Sequence, residues 1–450
     1  MSQKITCFKA YDARGKVPDE LNAEIVYRVG RAYAEFVRPR RVAVGRDVRL
    51  SSEELFDALT SGLMDSGVDV LDLGLCGTEQ VYFAAFHLEL DGGIMITASH
   101  NPIDYNGLKF VRECARPLSG DSGLRDIHRI AEAGKFGAAE RQGNLIPTDL
   151  GAEYVTHLLG YLADIDRLKP LKIITNPGNG MAGPVVDLLE QHLPFEFIKI
   201  QHEPDGTFPN GIPNPLLPER RDATIDAIKA HGADLGVAWD GDFDRCFLFD
   251  HNGRYIEGYY IVGLLGAQLL RQNPGERIVY DPRLTWNTIE LVSQNNGEPV
   301  QSKSGHAFIK ETMRKVNGIY GGEMSAHHYF RDFGYCDSGM IPWLLLAEMI
   351  SNQDKTLAEL VDARIERYPV SGEINVEVTD PQAVIDRVQA YFAHLPHEID
   401  RTDGIGMDFG VWRFNLRGSN TEPLLRLNVE TRGDHALMEQ RRDEILGLIS

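Results

Sequence analysis

The stretch LKIITNPGNGMAGPVVDLLEQHLPFEFIKI, residues 171–200, reads as an apolar strand, a glycine-containing turn and a helix, with a further apolar run behind it. The same order occurs upstream. RVAVGRD (41–47) reads as a strand, and a helix follows from Ser51, with Ser51 and Glu54 spaced as a capping box. VDVLDLG (68–74) and GGIMIT (92–97) read as the next strands. It begins again at RIVYDPRLTWNTIELVSQNNGEPVQSKSG (277–305), and GRDVRLSSEEL (45–55) and VYDPRLTWNTIEL (279–291) both place D-x-R-L between a strand and a helix. Short apolar strands between helices belong in parallel sheets covered on both faces. The uneven spacing of the three cycles points to three similar α/β units rather than a solenoid.

After about residue 366 the pattern changes. SGEINVEV, VWRFNLR and LLRLNVETR are strand-like and are flanked by helical PQAVIDRVQAYFAHL and DHALMEQRRDEILGLI, which predicts a smaller α+β domain with an antiparallel sheet. A chain of 450 residues is also too long for one hydrophobic core. The expected division is 1–150, 151–255, 256–366 and 367–450: three α/β domains with mixed, mostly parallel sheets, and a C-terminal α+β domain.

The formal charge of −20 argues against a nucleic-acid partner. It leaves room for an anionic small molecule, because salt screens charge beyond about 8 Å and a few arginines and lysines can dominate a cleft. No apolar run approaches the ~18 residues of a membrane span, and the opening MSQKITCFKAYDARGKV has no apolar signal-peptide core. Five dispersed cysteines without a C-x-x-C pair predict free thiols in a reducing compartment, hence the cytoplasm.

Four motifs carry chemistry. In AWDGDFDRCFLF (238–249), Asp240, Asp242 and Asp244 alternate and Arg245 follows. In an extended loop, two-residue spacing turns carboxylates toward one centre, and oxygen ligands favour a hard ion, Mg²⁺ or Ca²⁺. An EF-hand is excluded by Arg245 and His251, where Gly and Glu would be needed. In TASHNP (97–102), Ser99 lacks the G-x-S-x-G of a hydrolase elbow. His100 is not expected to serve Ser99 as a base, since successive side chains on extended backbone point apart. GDSG (120–123) reads as a turn and helix start. With a metal loop elsewhere, phosphoryl transfer is the chemistry that fits Ser99. In GGEMSAHHYF (321–330), Glu323, Ser325 and His327 alternate to offer an acceptor, a hydroxyl and a switchable donor to a polyhydroxyl ligand. In NLRGSNTEPLL (415–425), Arg417 precedes a small-residue loop, Ser419, Asn420 and Thr421 included, that can form an anion nest. A rival lies in GNGMAG (178–183), a dinucleotide-type G-x-G-x-x-G with Glu203 near the ribose-binding position.

Together the four motifs resemble those of the α-D-phosphohexomutase superfamily over essentially the whole chain. TASHNP resembles its phosphoserine loop, DGDFDR its magnesium loop, GGEMSAHHYF its sugar loop and RGSNTEP its phosphate loop. The sugar loop and KAYDARG are most similar to the bacterial phosphomannomutase branch, including members that also act on glucose phosphates. The resemblance implies four domains around a central cleft. It also implies interconversion of hexose 1- and 6-phosphates through a phosphoserine and a hexose 1,6-bisphosphate, which doubles as activator. Ser99 would carry the phosphoryl group and bind Mg²⁺ together with Asp240, Asp242 and Asp244. Tyr11, Arg14, His100, Lys109 and Arg245 would surround the transferring group, with Lys109 or His100 as acid or base. Glu323, Ser325, His306 and His327 would hold the sugar, and Arg417, Ser419, Asn420 and Thr421 the distal phosphate. The implied partners are small sugar phosphates, without nucleic acid or membrane, for a monomer or weak oligomer. Two residues depart from the pattern: Glu79 stands where many relatives have Pro, and Arg283, a further substrate-contact candidate, where they often have Lys. The alternatives are a metal-dependent sugar-phosphate phosphatase and a dinucleotide-binding protein using GNGMAG.

Overall fold

An order of strand, helix, strand, helix and two further strands occurs three times in the computed structural model, which describes residues 4–353, 355–418 and 424–449. The first set is Arg41–Arg46, Ser52–Met64, Asp69–Leu75, Thr78–His87, Gly92–Ile96 and Tyr105–Arg112. The second is Lys172–Asn176, Gly183–Glu190, Glu196–Lys199, Asp222–His231, Leu235–Trp239 and Cys246–Asp250. The third is Arg277–Tyr280, Trp286–Gln294, Glu298–Gln301, His306–Val316, Tyr320–Gly322 and His328–Phe330. In each, the first three strands pair in parallel and the last two form an antiparallel hairpin. The sheets are therefore mixed. In the first, Tyr105–Arg112 runs antiparallel to both Gly92–Ile96 and Ala13–Lys16, in line with the expected mixed, mostly parallel sheets.

The chain forms two compact units, Met1–Tyr255 with Asp332–Gln353, and Ile256–Arg331 with Asp354–Ser450. The first holds two of the three repeats. Its larger core sets Val42, Val44, Val70, Ile94 and Ile96 of the sheet against Val26, Val29, Leu55, Leu59 and Leu63 of the helices Ala23–Val37 and Ser52–Met64. Gly92–Ile96 and Leu235–Trp239 are buried at every position, which is why they read as unbroken apolar runs rather than alternating ones. The second unit holds the third repeat and an all-antiparallel sheet ordered Ile374–Glu377, Leu424–Thr431, Trp412–Gly418, Ile405–Asp408 and Glu398–Asp400. The helices Pro381–Phe392 and His435–Ile449 cover it through Val388, Phe392, Ile445 and Ile449. Two of its strands, Glu398–Asp400 and Ile405–Asp408, are too short and polar to have stood out in the sequence. Among the described residues no helix is long and apolar enough to cross a membrane, and all five cysteines are free.

A shared turn starts each repeat. Past the first strand, Asp47, Asn176 and Asp281 each accept a hydrogen bond from the backbone N–H two residues on, at 3.0, 2.9 and 2.9 Å. The D-x-R-L echo is thus one structural device used twice. In both copies the Asp and Arg are buried as a pair, Asp47 with Arg49 and Asp281 with Arg283. The expected capping box at Ser51 is not formed. Ser51 has helical backbone angles (φ −87°, ψ −8°), so its hydroxyl does not reach the N–H groups of the first turn and accepts instead from Asn106 Nδ2 at 2.9 Å. The helix start is tied down by Ser52, whose hydroxyl donates to Asp47 Oδ1 at 2.6 Å.

Asp47→Ala should shift the urea unfolding transition of the first unit by about 3–5 kcal/mol, because it strands buried Arg49 and frees the helix start. Asp47→Asn, which keeps an acceptor for the turn, should cost less; equal midpoints for both variants would contradict this account.

Candidate active site

Ser99 closes the first repeat's hairpin, between Gly92–Ile96 and Tyr105–Arg112. Its backbone is left-handed (φ 49°), fixed by the Thr97 hydroxyl accepting from Ser99 N at 2.8 Å and by Arg49, which donates to the carbonyls of Ser99, Asn101, Pro102 and Tyr105. This overturns the expectation that His100 points away from Ser99. The loop is turned rather than extended, and His100 Nδ1 lies 3.0 Å from Ser99 Oγ. The Ser99 hydroxyl donates to Asp240 Oδ2 at 2.9 Å and is 2 % exposed.

The three aspartates sit at the hairpin tip of the second repeat, between Leu235–Trp239 and Cys246–Asp250. They converge through a tight turn, with Phe243 left-handed (φ 44°) and its N–H on Asp240 O at 3.1 Å, not through an extended loop. Gly241 makes the approach possible, since a Cβ there would meet the Ser99 carbonyl oxygen at 2.7 Å. Carboxylate oxygens of Asp240, Asp242 and Asp244 lie within 4.8 Å of one another and all three residues are buried.

Two cations face them. Lys109 Nζ is 2.6 Å from both Asp242 Oδ2 and Asp244 Oδ2, and Arg245 donates twice to Asp240 Oδ2, from Nε at 2.9 Å and Nη2 at 2.8 Å. Asp242 Oδ1 is buried without a hydrogen-bond partner. An all-oxygen donor set with an orphaned carboxylate oxygen fits a hard metal ion. Burial pushes the Asp240 carboxyl up, to about 7, against the pull of Arg245. Burial would lower the Lys109 ammonium, but Asp242 and Asp244 outweigh it and keep it charged. His100 is held well below its ordinary value by burial and by Arg245 and Arg14. Its ring is therefore neutral, with Nδ1 accepting from Arg245 Nη2 at 2.6 Å. Arg14, on strand Ala13–Lys16, donates to Ala98 O at 3.3 Å, to Asn101 Oδ1 and to Asp12. It braces the serine loop, while Tyr11 lies half-buried just before that strand.

In the second unit, Glu323, Ser325 and His327 form the hairpin tip of the third repeat. Glu323 N donates to His327 O and Ala326 N to Glu323 O, with Ala326 left-handed (φ 68°). The side chains gather because the chain doubles back, not by strand alternation. Glu323 is buried and accepts from Tyr329 Oη (2.6 Å) and Gly305 N (2.8 Å). Ser325 Oγ lies 3.4 Å from His327 Nδ1. His306 begins the helix whose preceding residue, Gly305, is bound to Glu323. Arg283 is buried, with Nη2 at 2.8 Å from Asp281 and 3.4 Å from Glu323. Arg417 points its Nη2 at Glu373 (3.1 Å), and Arg283 and Arg426 share that carboxylate. Ser419, Asn420 and Thr421 lie outside the described residues.

Sequence reasoning missed Arg49, Thr78, Glu373 and Arg426. Only Arg49 left a signal, the D-x-R-L echo. GNGMAG is used otherwise than a dinucleotide site would require. A Cβ on Gly180 would meet Gly241 O at 2.7 Å, Met181 N donates to Gly241 O at 3.0 Å, and Asn179 Nδ2 donates to Glu203 O. Gly180 thus packs against the aspartate loop, while Gly178 faces Pro213 and Gly183 the His202 carbonyl.

Four family models match the chain in order: phosphoglucomutase/phosphomannomutase α/β/α domains I (6–138), II (152–253) and III (257–368), and the C-terminal domain (373–448). A phosphomannomutase of Escherichia coli strain K12 is 59% identical over 455 residues, covering 100% of both chains. A protein of Xanthomonas campestris pv. campestris named phosphohexose mutases is 60% identical over 450 residues, covering 99% of both. The crystal structure of a phosphoglucomutase/phosphomannomutase family protein from Burkholderia thailandensis superposes with a TM-score of 0.88 at 32% identity, covering 98% of this chain and 97% of that one. The fold is that of a phosphohexomutase. The chain belongs to the phosphoglucomutase/phosphomannomutase family.

His328, beside the sugar-loop residues, is buried against Tyr320, and burial lowers its pKa to about 3. The unfolded chain binds that proton near pH 6.5 and the folded one does not, so stability is lost as pH falls through the window from about 6.5 to 3. Between pH 6.5 and 5 the loss from this residue should be about 2 kcal/mol. His328→Leu should flatten that part of a urea-midpoint profile; an unchanged slope would contradict it.

Proposed function

We propose that this chain is a phosphomannomutase, acting also on glucose phosphates, in which Ser99 carries the phosphoryl group and Asp240, Asp242 and Asp244 hold Mg²⁺. The observation that carries the reading is the Ser99 hydroxyl placed 2.9 Å from Asp240 inside the buried three-carboxylate cluster. In the first half-reaction the Oγ–P bond of phosphoserine breaks as a hydroxyl of the hexose monophosphate attacks phosphorus. A hexose 1,6-bisphosphate and the Ser99 hydroxyl result. After the bisphosphate turns over, Ser99 attacks its other phosphate, recovers the phosphoryl group and releases the isomer. A trace of the same bisphosphate primes the serine and serves as activator. The bound cation supplies neutralisation of the phosphoryl oxygens.

This chain's residues do the rest. His100, neutral and with Nδ1 3.0 Å from Ser99 Oγ, flanks the serine while accepting from Arg245, and the Ser99 hydroxyl itself donates to Asp240 Oδ2. Lys109 is held charged by two carboxylates, which suits it to stabilise phosphoryl oxygens and not to act as a base. Arg245 aims the imidazole and Asp240 together, and Arg14 and Arg49 hold the loop from which the hydroxyl projects. Glu323, Ser325, His327 and His306 are assigned to the sugar hydroxyls, with Tyr11 and Arg283 as accessory contacts. Arg417 and the segment Ser419, Asn420 and Thr421 are assigned to the distal phosphate. The domains 1–150, 151–255, 256–366 and 367–450 would then supply serine, metal, sugar and phosphate functions. The free thiols support a cytoplasmic protein, monomeric or weakly associated, working on small sugar phosphates.

Ser99→Ala should lower kcat by about 10³-fold or more while leaving the fold intact. Removing divalent cations with a chelator should stop the wild-type enzyme, and Mg²⁺ should restore it. Mannose 1-phosphate and glucose 1-phosphate should both be converted, with glucosamine 1-phosphate slower. Release of inorganic phosphate in place of the 6-phosphate would establish the phosphatase alternative, and wild-type turnover by Ser99→Ala would end the phosphoserine mechanism.

A further inference from the structure

Glu79 is fully buried and takes no part in the chemistry described above. It is also one of the two places where the chain departs from the family pattern. Its carboxyl accepts hydrogen bonds from the Tyr154 hydroxyl, from Ser338 Oγ at 2.9 Å and from the backbone N–H groups of Gly339 (2.5 Å) and Met340 (3.4 Å). Four donors converge on one side chain in the first unit, and three of them belong to a short turn that enters the helix Ile341–Gln353.

That turn lies directly against the aspartate loop. A Cβ on Gly339 would collide with the Phe243 carbonyl oxygen and lie 3.0 Å from the Arg245 carbonyl carbon. The carbonyl of Gly339 accepts from Trp239 Nε1 at 2.9 Å, and Trp239 immediately precedes Asp240. The peptide groups on either side of Gly339 therefore tie Glu79 to the start of the loop, while its backbone supports the middle. On the other side of Glu79 is Thr78. Its N–H donates to Asp242 O at 3.1 Å and its hydroxyl to Asp242 Oδ2 at 2.5 Å. Asp242 is the carboxylate whose other oxygen has no partner.

We infer that Glu79 is a positioning residue for the cation site, fixing the Asp240–Arg245 loop through Thr78 on one flank and Gly339 on the other. The assignment rests on the metal reading of that loop. It accounts for a carboxyl placed at the second position of the helix Thr78–His87, where a proline would serve the helix equally well. Proline would leave the Gly339 N–H without its acceptor. Burial pushes the Glu79 carboxyl up to about 8, so glutamine is its close substitute near neutral pH. A glutamine oxygen can face Gly339 and Met340 while its amide donates to the rotatable hydroxyls of Tyr154 and Ser338.

The test is direct titration of Mn²⁺ into the wild-type protein, Glu79→Ala and Glu79→Gln by calorimetry, with kcat and KM for mannose 1-phosphate measured alongside. Glu79→Ala should weaken Mn²⁺ binding about tenfold and lower kcat, with KM within about twofold, and Glu79→Gln should restore both. A folded Glu79→Ala protein with wild-type Mn²⁺ affinity overturns the assignment, even if its melting temperature falls. Should that variant not fold, Tyr154→Phe removes a single donor and should still weaken Mn²⁺ binding about threefold; unchanged affinity again overturns it. A wild-type protein that binds no Mn²⁺ fails at the earlier step, the metal reading, and takes this assignment down with it.

Discussion

Three carboxylates buried within 4.8 Å of one another set the central constraint on this fold. At an effective dielectric of 20, two like charges 4 Å apart repel by about 4 kcal/mol. Three such repulsions rival the whole stability of an ordinary domain, about 5–15 kcal/mol. Cations built around the loop offset that repulsion, and burial with the neighbouring carboxylates raises the Asp240 carboxyl to about 7. Lys109 from the first repeat and Arg245 from the loop itself meet most of the demand. The buried oxygen of Asp242 that lacks a partner fits a cation at the same place.

The repeated α/β unit explains where the chemistry lies. Each repeat ends in a hairpin whose first strand is paired in parallel within its sheet, and each hairpin tip carries one motif. The tips hold Ser99, the three aspartates, and Glu323 with Ser325 and His327. A tip between two well-paired strands is fixed at both ends, so it can hold left-handed residues such as Ser99, Phe243 and Ala326 without fraying. Those residues are what bring neighbouring side chains together. One backbone device, used three times, carries three different side-chain sets.

That device also marks what could be read from the sequence. The repeats, the C-terminal sheet and the motifs were legible because apolar runs and rare polar clusters are local signals. The geometry inside each motif was not. Alternating residues were read as extended, whereas each tip folds back through a left-handed residue that no local pattern announces. The supporting residues were less visible still. Glu79 and Gly339 are 260 positions apart, and Arg49 meets the carbonyl of Asn101 from 52 positions away. A lone buried Glu or Arg looks like any other in a sequence until the fold supplies its partner.

Arg49 and Arg283 show how far the repeat reaches into function. They stand at equivalent turns, and each is bound by the Asp two residues before it. Arg49 uses its guanidinium on carbonyls of its own repeat's hairpin tip. Arg283 reaches its own tip as well, through Glu323 and Ser325 at 3.4 Å each. With Asp281 and Glu373 taking the remaining donors, little of Arg283 is left for a ligand. Its planar, permanently charged fork suits this several-sided carboxylate contact better than the point charge of a lysine would. Arg283 thus fixes the carboxylate of Glu323, as Arg49 fixes the backbone of Ser99. The arginine that departs from the family pattern is explained by its partners within the fold.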